Sequence, residues 1–304
     1  MSSNRKLTFS DIVTYRKLIK RGDAVGIEIE WEFDNMPRAN EFLRTSLKSS
    51  WVIKGDGSLR SGLELISSPI DNYGAILKDL QPIVDYRGIE IRISHRCSIH
   101  VHLNYQTRTP TDVMCFYALY AVLEPMLDSL AGNRSKNPYC IGIAEGMPSY
   151  IQMITALKRI EDTISIEGEI QGGYGNNWKY SSVNILPLST LGTVEIRSHE
   201  GTTDIARIIK WIDVLTCMRT YSSNRDLNGF IEQLFITHPE ELARIMGITF
   251  SQEFQETHRK ALYRCRTLFQ DYDKLYNIMR VVRKKVKQRI VPGNESNESP
   301  EVGF

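Results

Sequence analysis

Acids and bases fall at every second position in two short segments of this chain. In Gly26-Ile27-Glu28-Ile29-Glu30-Trp31-Glu32-Phe33, the carboxylates of Glu28, Glu30 and Glu32 would share one face of a strand. Ile27, Ile29, Trp31 and Phe33 would share the other, because successive strand side chains point opposite ways. In Ser98-Ile99-His100-Val101-His102-Leu103-Asn104, both imidazoles lie opposite Ile99, Val101 and Leu103. Carboxylates crowded on one face repel, and each is hard to ionise unless cations lie between them. Beside imidazoles, such a face points to divalent metal ions. Taken alone, Glu28 and Glu30 also read as a solvated strand edge, and His100 and His102 as part of a zinc site. Cys97 falls on the face opposite the imidazoles, a poor place for a third ligand.

Two more segments repeat the alternation. Glu64 stands between Leu63 and Leu65 in a strand that reads as buried, where an ionised carboxylate needs a partner. Glu195 and Arg197 alternate in Thr193-Val194-Glu195-Ile196-Arg197-Ser198-His199, where an ion pair within the sheet is the simplest job for both. Charged groups flanked by aliphatics in four separate strands are expensive to maintain for solubility alone.

The elements that must position these groups are legible from pattern and punctuation. A short amphipathic helix is expected from Thr8 to Arg21, capped at Ser10. Trp51–Ile53 and Ser58-Leu59 read as strands joined by the Asp56-Gly57 turn, and Gly62–Ser67 as a further strand ended by Pro69. A helix over Tyr73–Val84 precedes strands at Glu90–Ile93 and Ser98–Asn104. Thr109-Pro110-Thr111-Asp112 starts a helix that stops at Gly132, and another runs from Pro148 to Thr163. Gly172–Asn177 is loop sequence, suited either to a lid or to plain surface, and strands follow at Ser181–Leu188 and Gly192–His199. Helices then dominate, at Ile205–Tyr221, Pro239–Met246 and Gln252–Val286, before a polar tail. The fold class is α+β, divided as residues 1–204, a helical part at 205–288 and a disordered tail at 289–304.

Composition excludes little but bounds the partners. A net charge of +2 over 304 residues does not require nucleic acid or a membrane surface. Arg280, Arg283, Lys284, Lys285, Lys287 and Arg289 read as a solvated helix end. The five cysteines are scattered without a CxxC pair, as in a reduced cytoplasmic protein. No secretory signal is evident at Met1–Lys6, and the most apolar stretch, Phe116–Leu123, is short of the ~20 residues a bilayer demands. The expected location is the cytoplasm, with no membrane partner.

Gly26-Ile27-Glu28-Ile29-Glu30, Asp56-Gly57-Ser58 with Gly62-Leu63-Glu64, Cys97–His102 and Gly192–Arg197 occur in that order. With Gly132–Asn137 and Tyr180-Ser181-Ser182-Val183-Asn184, the set resembles the amidoligase family of the glutamine synthetase / glutamate–cysteine ligase superfamily over about residues 24–204. The resemblance implies a curved, mostly antiparallel sheet with helices on its outer face, and Mg²⁺ or Mn²⁺ ions and ATP on its concave face. It implies metal ligation by Glu28, Glu30, Glu64, His100 and Glu195, with Glu64 also counted as catalytic. It further implies that Arg197 holds the transferring phosphate, with Arg134 as a second phosphate or substrate contact and Asn184 near the nucleotide. His102, Asp56, Ser58 and Tyr180 take substrate-side places, and Glu32 has no assigned part.

The implied activity is ATP-dependent amide formation between a carboxylate and an amine, from a small molecule, peptide or protein, through an acyl phosphate. The sequence contains no Walker-type or Rossmann glycine loop, so ATP rests on the resemblance alone. Two other readings stay open: a metal-dependent hydrolase using the same cluster without ATP, and a non-catalytic binding protein on the same fold.

Overall fold

The computed structural model describes residues 6–19, 24–132, 134, 137–166, 169–170 and 175–269. Its sheet has seven strands: β1 (Val25–Phe33), β2 (Trp51–Gly55), β3 (Gly62–Ser67), β4 (Ile91–Arg92), β5 (Ser98–Asn104), β6 (Val183–Asn184) and β7 (Thr193–Glu200). They lie in the order β2-β3-β1-β5-β7-β6, with β4 paired to the end of β1, and every pairing is antiparallel. The sheet is open, and the class is α+β as expected.

Ten α-helices are described: α1 (Phe9–Ile12), α2 (Met36–Ser46), α3 (Tyr73–Lys78), α4 (Gln81–Val84), α5 (Pro110–Ala131), α6 (Ile143–Thr163), α7 (Ile205–Ser222), α8 (Leu227–Ile236), α9 (Pro239–Met246) and α10 (Gln252–Leu268). The alternation in β1, β5 and β7 buries Ile27, Ile29, Trp31, Ile99, Val101, Leu103, Val194 and Ile196 in one apolar core with α5 and α7. That fixes the opposite face of the same strands as the one carrying Glu28, Glu30, His100, His102 and Glu195.

Helix α5 organises the core. Thr109 and Asp112 close a reciprocal capping box at its start, and Gly132 ends it at φ +82°, where a Cβ would strike the Glu200 carboxylate. Nearly every residue of α5 is buried, and α6, α7, α8 and α10 all pack on it. It reaches well beyond the Phe116–Leu123 stretch and is long and apolar enough to cross a membrane, but 78% of its apolar window is buried inside the protein. It is a core helix in this fold.

Several boundaries differ from the sequence expectation. Among the described residues of the N-terminal segment only Phe9–Ile12 is helical, and Thr8 rather than Ser10 caps it; residues 20–21 of the expected helix lie outside the described residues. The segment is held instead as a strap, with Gln106 binding the Ile19 amide and the Lys17 carbonyl, and Tyr15 donating to Leu188. Ser58-Leu59 is not a strand: β2 pairs directly with β3, and Asp56 accepts the Ser58 amide within a longer loop. The helix expected over Tyr73–Val84 breaks at Asp79–Leu80, ahead of Pro82.

Strand β4 keeps only Ile91–Arg92, and Ser181–Leu188 keeps only Val183–Asn184 before Pro187 turns the chain into a 3₁₀ segment at Leu186–Ser189. Helix α6 begins at Ile143 and kinks at Gly146, before Pro148. Of the glycine-rich loop, Gly175–Tyr180 forms a 3₁₀ segment, while residues 171–174 lie outside the described residues, as do the basic helix end and the tail.

Candidate active site

Pairing across the sheet sets the acids and imidazoles side by side. Glu28 stands opposite His100 and Glu30 opposite Glu64. His102 stands opposite Glu195, and Glu195 opposite Asn184. The register between β5 and β7 slips at one point: Ile99 pairs with His199 and Val101 with Ile196, so Arg197 and Ser198 together oppose His100. This bulge splits their directions. Ser198 accepts a hydrogen bond from Tyr120 on α5 at 2.9 Å, while Arg197 joins the acidic face and donates to Glu195.

The contacts form a continuous network. His100 Nδ1 lies 3.1 Å from Glu28 Oε2 and 3.4 Å from Glu195 Oε1. His102 Nε2 lies 3.2 Å from Glu28 Oε1, while its Nδ1 meets the Thr193 hydroxyl at 2.9 Å. Ser98 donates to Glu30 and sits 2.8 Å from His100 Nε2. Asn184 donates to Glu195 Oε2 at 2.7 Å and accepts the Leu186 amide, which pins the carboxylate. Glu32 accepts the Arg60 amide at 2.9 Å and so braces the β2–β3 loop. The Cys97 thiol turns away toward the Arg92 carbonyl.

Burial opposes ionisation of Glu28, but hydrogen bonds from His100 and His102 outweigh it and hold the group well below the ordinary carboxylate range. Burial likewise opposes the charge on His102, yet the Glu28 hydrogen bond and the Glu195 charge raise its pKa. Glu195 is lowered against burial, chiefly by Arg197. Glu64 is the exception. Burial, then the negative charges of Glu28, Glu30 and Asp56, push it up to about 8, with Lys54 too weak to compensate.

Three overlapping sets of ligand atoms lie within 4.8 Å of one another: Glu28 with His102 and Glu195, Glu28 with Glu64 and His100, and Glu30 with Asp56 and Glu64. Carboxylate oxygens, joined by one imidazole in each of the first two sets and by none in the third, suit Mg²⁺ or Mn²⁺. Added cations would also relieve the repulsion concentrated on Glu64. The residues therefore fit divalent ions. His102 and Asp56, expected on the substrate side, offer ligand atoms to these sets. Ser98 and Thr193, which orient the two imidazoles, went unnoticed in the sequence, although Ser98 shares the alternation of His100 and His102.

Two cavities flank this face. One of about 220 Å³ is lined by Glu30, Asp56, Ser58, Arg96, Arg134, Tyr139, Lys179, Tyr180 and Arg197. Of the remaining expected residues it gathers Ser58, Arg134, Tyr180 and Arg197 but not Asn184, and it adds Arg96, Tyr139 and Lys179, for which no pattern in the sequence gave a signal. The other, about 340 Å³, is mainly apolar and meets the site at Glu28 and His102, with Ile19, Ile66, Pro69 and Leu191 among its walls. Gly26 opens its floor: a Cβ there would come 3.3 Å from that of His102.

An open antiparallel sheet thus carries an acid–imidazole face that could hold divalent ions, with an arginine beside it. A family model described as "Putative amidoligase enzyme" matches residues 27–218, from β1 into α7, and the chain belongs to that family. Membership makes it an enzyme of the ligase kind, acting on small-molecule or peptide substrates in general. A search of curated proteins finds no match.

Proposed function

We propose that this protein is an ATP- and Mg²⁺- or Mn²⁺-dependent carboxylate–amine ligase of the glutamine synthetase / glutamate–cysteine ligase superfamily. It forms an amide, peptide-like or isopeptide-like, through an acyl phosphate. The observation that carries this reading is the junction at Arg197, where three sets of metal-capable ligands adjoin a cationic cavity.

When bound, divalent ions would neutralise oxygens of the β- and γ-phosphates and bring the γ-phosphorus within reach of a carboxylate. Glu28, Glu30, Glu64, His100 and Glu195 would hold them, joined by His102 and Asp56. Arg197, anchored by Glu195 and turned to the face by the β7 bulge, offers its remaining donors to the transferring phosphoryl group. Asn184 acts through Glu195, whose carboxylate it fixes. The apolar cavity beyond Glu28 accepts the nucleobase, which stacks among aliphatic walls without a glycine-rich loop. The γ-phosphoryl passes to the substrate carboxylate and ADP leaves. The amine then attacks the acyl carbon, phosphate departs, and the nitrogen gives up a proton. The cysteines Cys97, Cys115, Cys140, Cys217 and Cys265 are all unpaired, in keeping with a cytoplasmic location.

Incubation with ATP, Mg²⁺ and pools of acids and amines, following ADP release, tests the reading. ADP release should need both pools and vanish in Arg197→Ala. Absence of calorimetric heat with ADP and Mg²⁺ would reject it in favour of a nucleotide-free reaction.

A further inference from the structure

The apolar cavity beside Glu28 is not walled by the sheet alone. Arg16, Lys17 and Ile19 of the N-terminal strap close one side of it, facing Ile66 and Pro69 beyond β3 and Leu191 before β7 as fellow wall residues. The strap is fastened there more than it is packed. Among residues 6–19, Phe9 alone is buried, and the amides of Phe9 and Ser10 bond to the carbonyls of Arg108 and Gln106. That end is a plug set in the core.

The end beside the cavity has no buried side chain, and Arg16, Lys17 and Leu18 are exposed. Hydrogen bonds hold it. Gln106 Oε1 accepts the Ile19 amide at 2.6 Å, and Gln106 Nε2 donates to the Lys17 carbonyl at 3.1 Å and the Leu191 carbonyl at 2.9 Å. Asn104 donates to the Ile19 carbonyl at 3.2 Å, and Tyr15 to the Leu188 carbonyl at 2.8 Å. Gln106 is 1% exposed, and it follows β5, the strand that bears His100 and His102. Gly192, at φ +69°, makes room for the arrangement, since a Cβ there would strike the Gln106 side chain and the Tyr15 ring.

One buried amide thus ties the strap to the sheet and to the turn before β7, across the mouth of the cavity. A segment plugged at one end and hydrogen-bonded at the other opens first at the end with fewer buried apolar contacts. We infer that the strap is a gate on the apolar cavity, hinged at Phe9 and latched by Gln106, which releases to pass ligand and closes to retain it. This rests on the ligase reading above, which puts the nucleotide in that cavity, and makes its exchange wait on the strap.

Hydrogen exchange and stopped-flow binding on the full chain test it, with ADP and Mg²⁺ as the probe. In the free protein the amides of residues 16–19 should exchange faster than those of Phe9–Ile12, and saturating ADP should slow them about tenfold. Gln106→Met keeps the length of the side chain and removes its amide. It should raise both the association and the release rate of ADP about tenfold, with Kd moving less than about threefold, because a gate slows passage in both directions. Tyr15→Phe, on the strap itself, leaves the sheet untouched and should raise both rates about threefold. It carries the test should the buried substitution disturb folding. Faster release with unchanged association would make the strap a wall that merely touches the ligand, and exchange indifferent to ADP would make it structural. Either result overturns the gate. Calorimetry with the same probe separates the two levels: heat without these rate changes overturns the gate alone, while no heat removes the ligase reading and the gate with it.

Discussion

Glu28 and His100 face one another across β1 and β5, with the ring Nδ1 3.1 Å from Oε2 of the carboxylate. The other oxygen of Glu28 lies 3.2 Å from His102, so a single carboxylate bridges both imidazoles and belongs to two of the three ligand sets. Glu28→Gln should therefore weaken Mn²⁺ binding by more than about a hundredfold, since loss of an orienting partner alone costs about 10–100-fold. Titration followed by electron paramagnetic resonance reads this directly. Unaltered affinity would remove Glu28 from the metal site.

Thr193 supplies the contact that fixes the His102 ring, at 2.9 Å from Nδ1. Thr193→Val keeps the shape and removes the oxygen. Mn²⁺ affinity should fall about 10–100-fold with little change in unfolding midpoint. A loss of stability without a loss of affinity would make the contact structural.

Arg197 combines a donor to Glu195 with a position 3.5 Å from His100. A lysine keeps the charge but not the planar fork. Arg197→Lys should lower the rate of acid-dependent ADP release by at least about a hundredfold, with nucleotide binding largely kept. Retained turnover would place phosphoryl stabilisation elsewhere.

Away from the site, Glu124 is 3% exposed, accepts the Ile143 amide at 2.6 Å and meets Arg264 at 3.1 Å. Burial pushes it up to about 7, with Asp128 adding in the same direction against the Ile143 and Arg264 contacts. The folded state thus holds a proton that the unfolded chain releases near pH 4.5. Its contribution is full below that pH, declines as pH rises to about 7, and is then level. His199 and His258, lowered by burial to about 4, act in the opposite direction. The comparison with Glu124→Gln isolates the acid. Between pH 4.5 and 7 the wild type should lose up to about 3 kcal/mol relative to the variant in urea unfolding. Parallel profiles would show that Glu124 does not titrate in this range.

The site was more legible in the sequence than the chain path around it. Alternation with period two is a local property, and it placed Glu28, Glu30, His100, His102 and Glu195 on one face because aliphatic partners in β1, β5 and β7 leave only one burial solution. Capping chemistry was equally local at Thr109 and Asp112, where the start of α5 fell as expected. The bulge that aims Arg197 was hidden, since it depends on the register between β5 and β7. Arg96, Tyr139 and Lys179 stand in connections whose positions are set by tertiary packing, so no spacing announced them. The N-terminal segment read as a helix because its apolar residues recur at helical spacing, but docking on Gln106 and Arg108 satisfies its backbone in another way.

The central claim is that the face shared by β1, β3, β5 and β7 holds divalent cations against a nucleotide. Anomalous diffraction from crystals grown with Mn²⁺ and ADP tests it most directly. The account predicts manganese peaks about 2.0–2.3 Å from oxygens of Glu28, Glu30, Glu64 and Glu195 and from ring nitrogens of His100 or His102, with ADP phosphates on the same ions. Peaks confined to the outer surface, with these side chains still bonded only to one another, would contradict it.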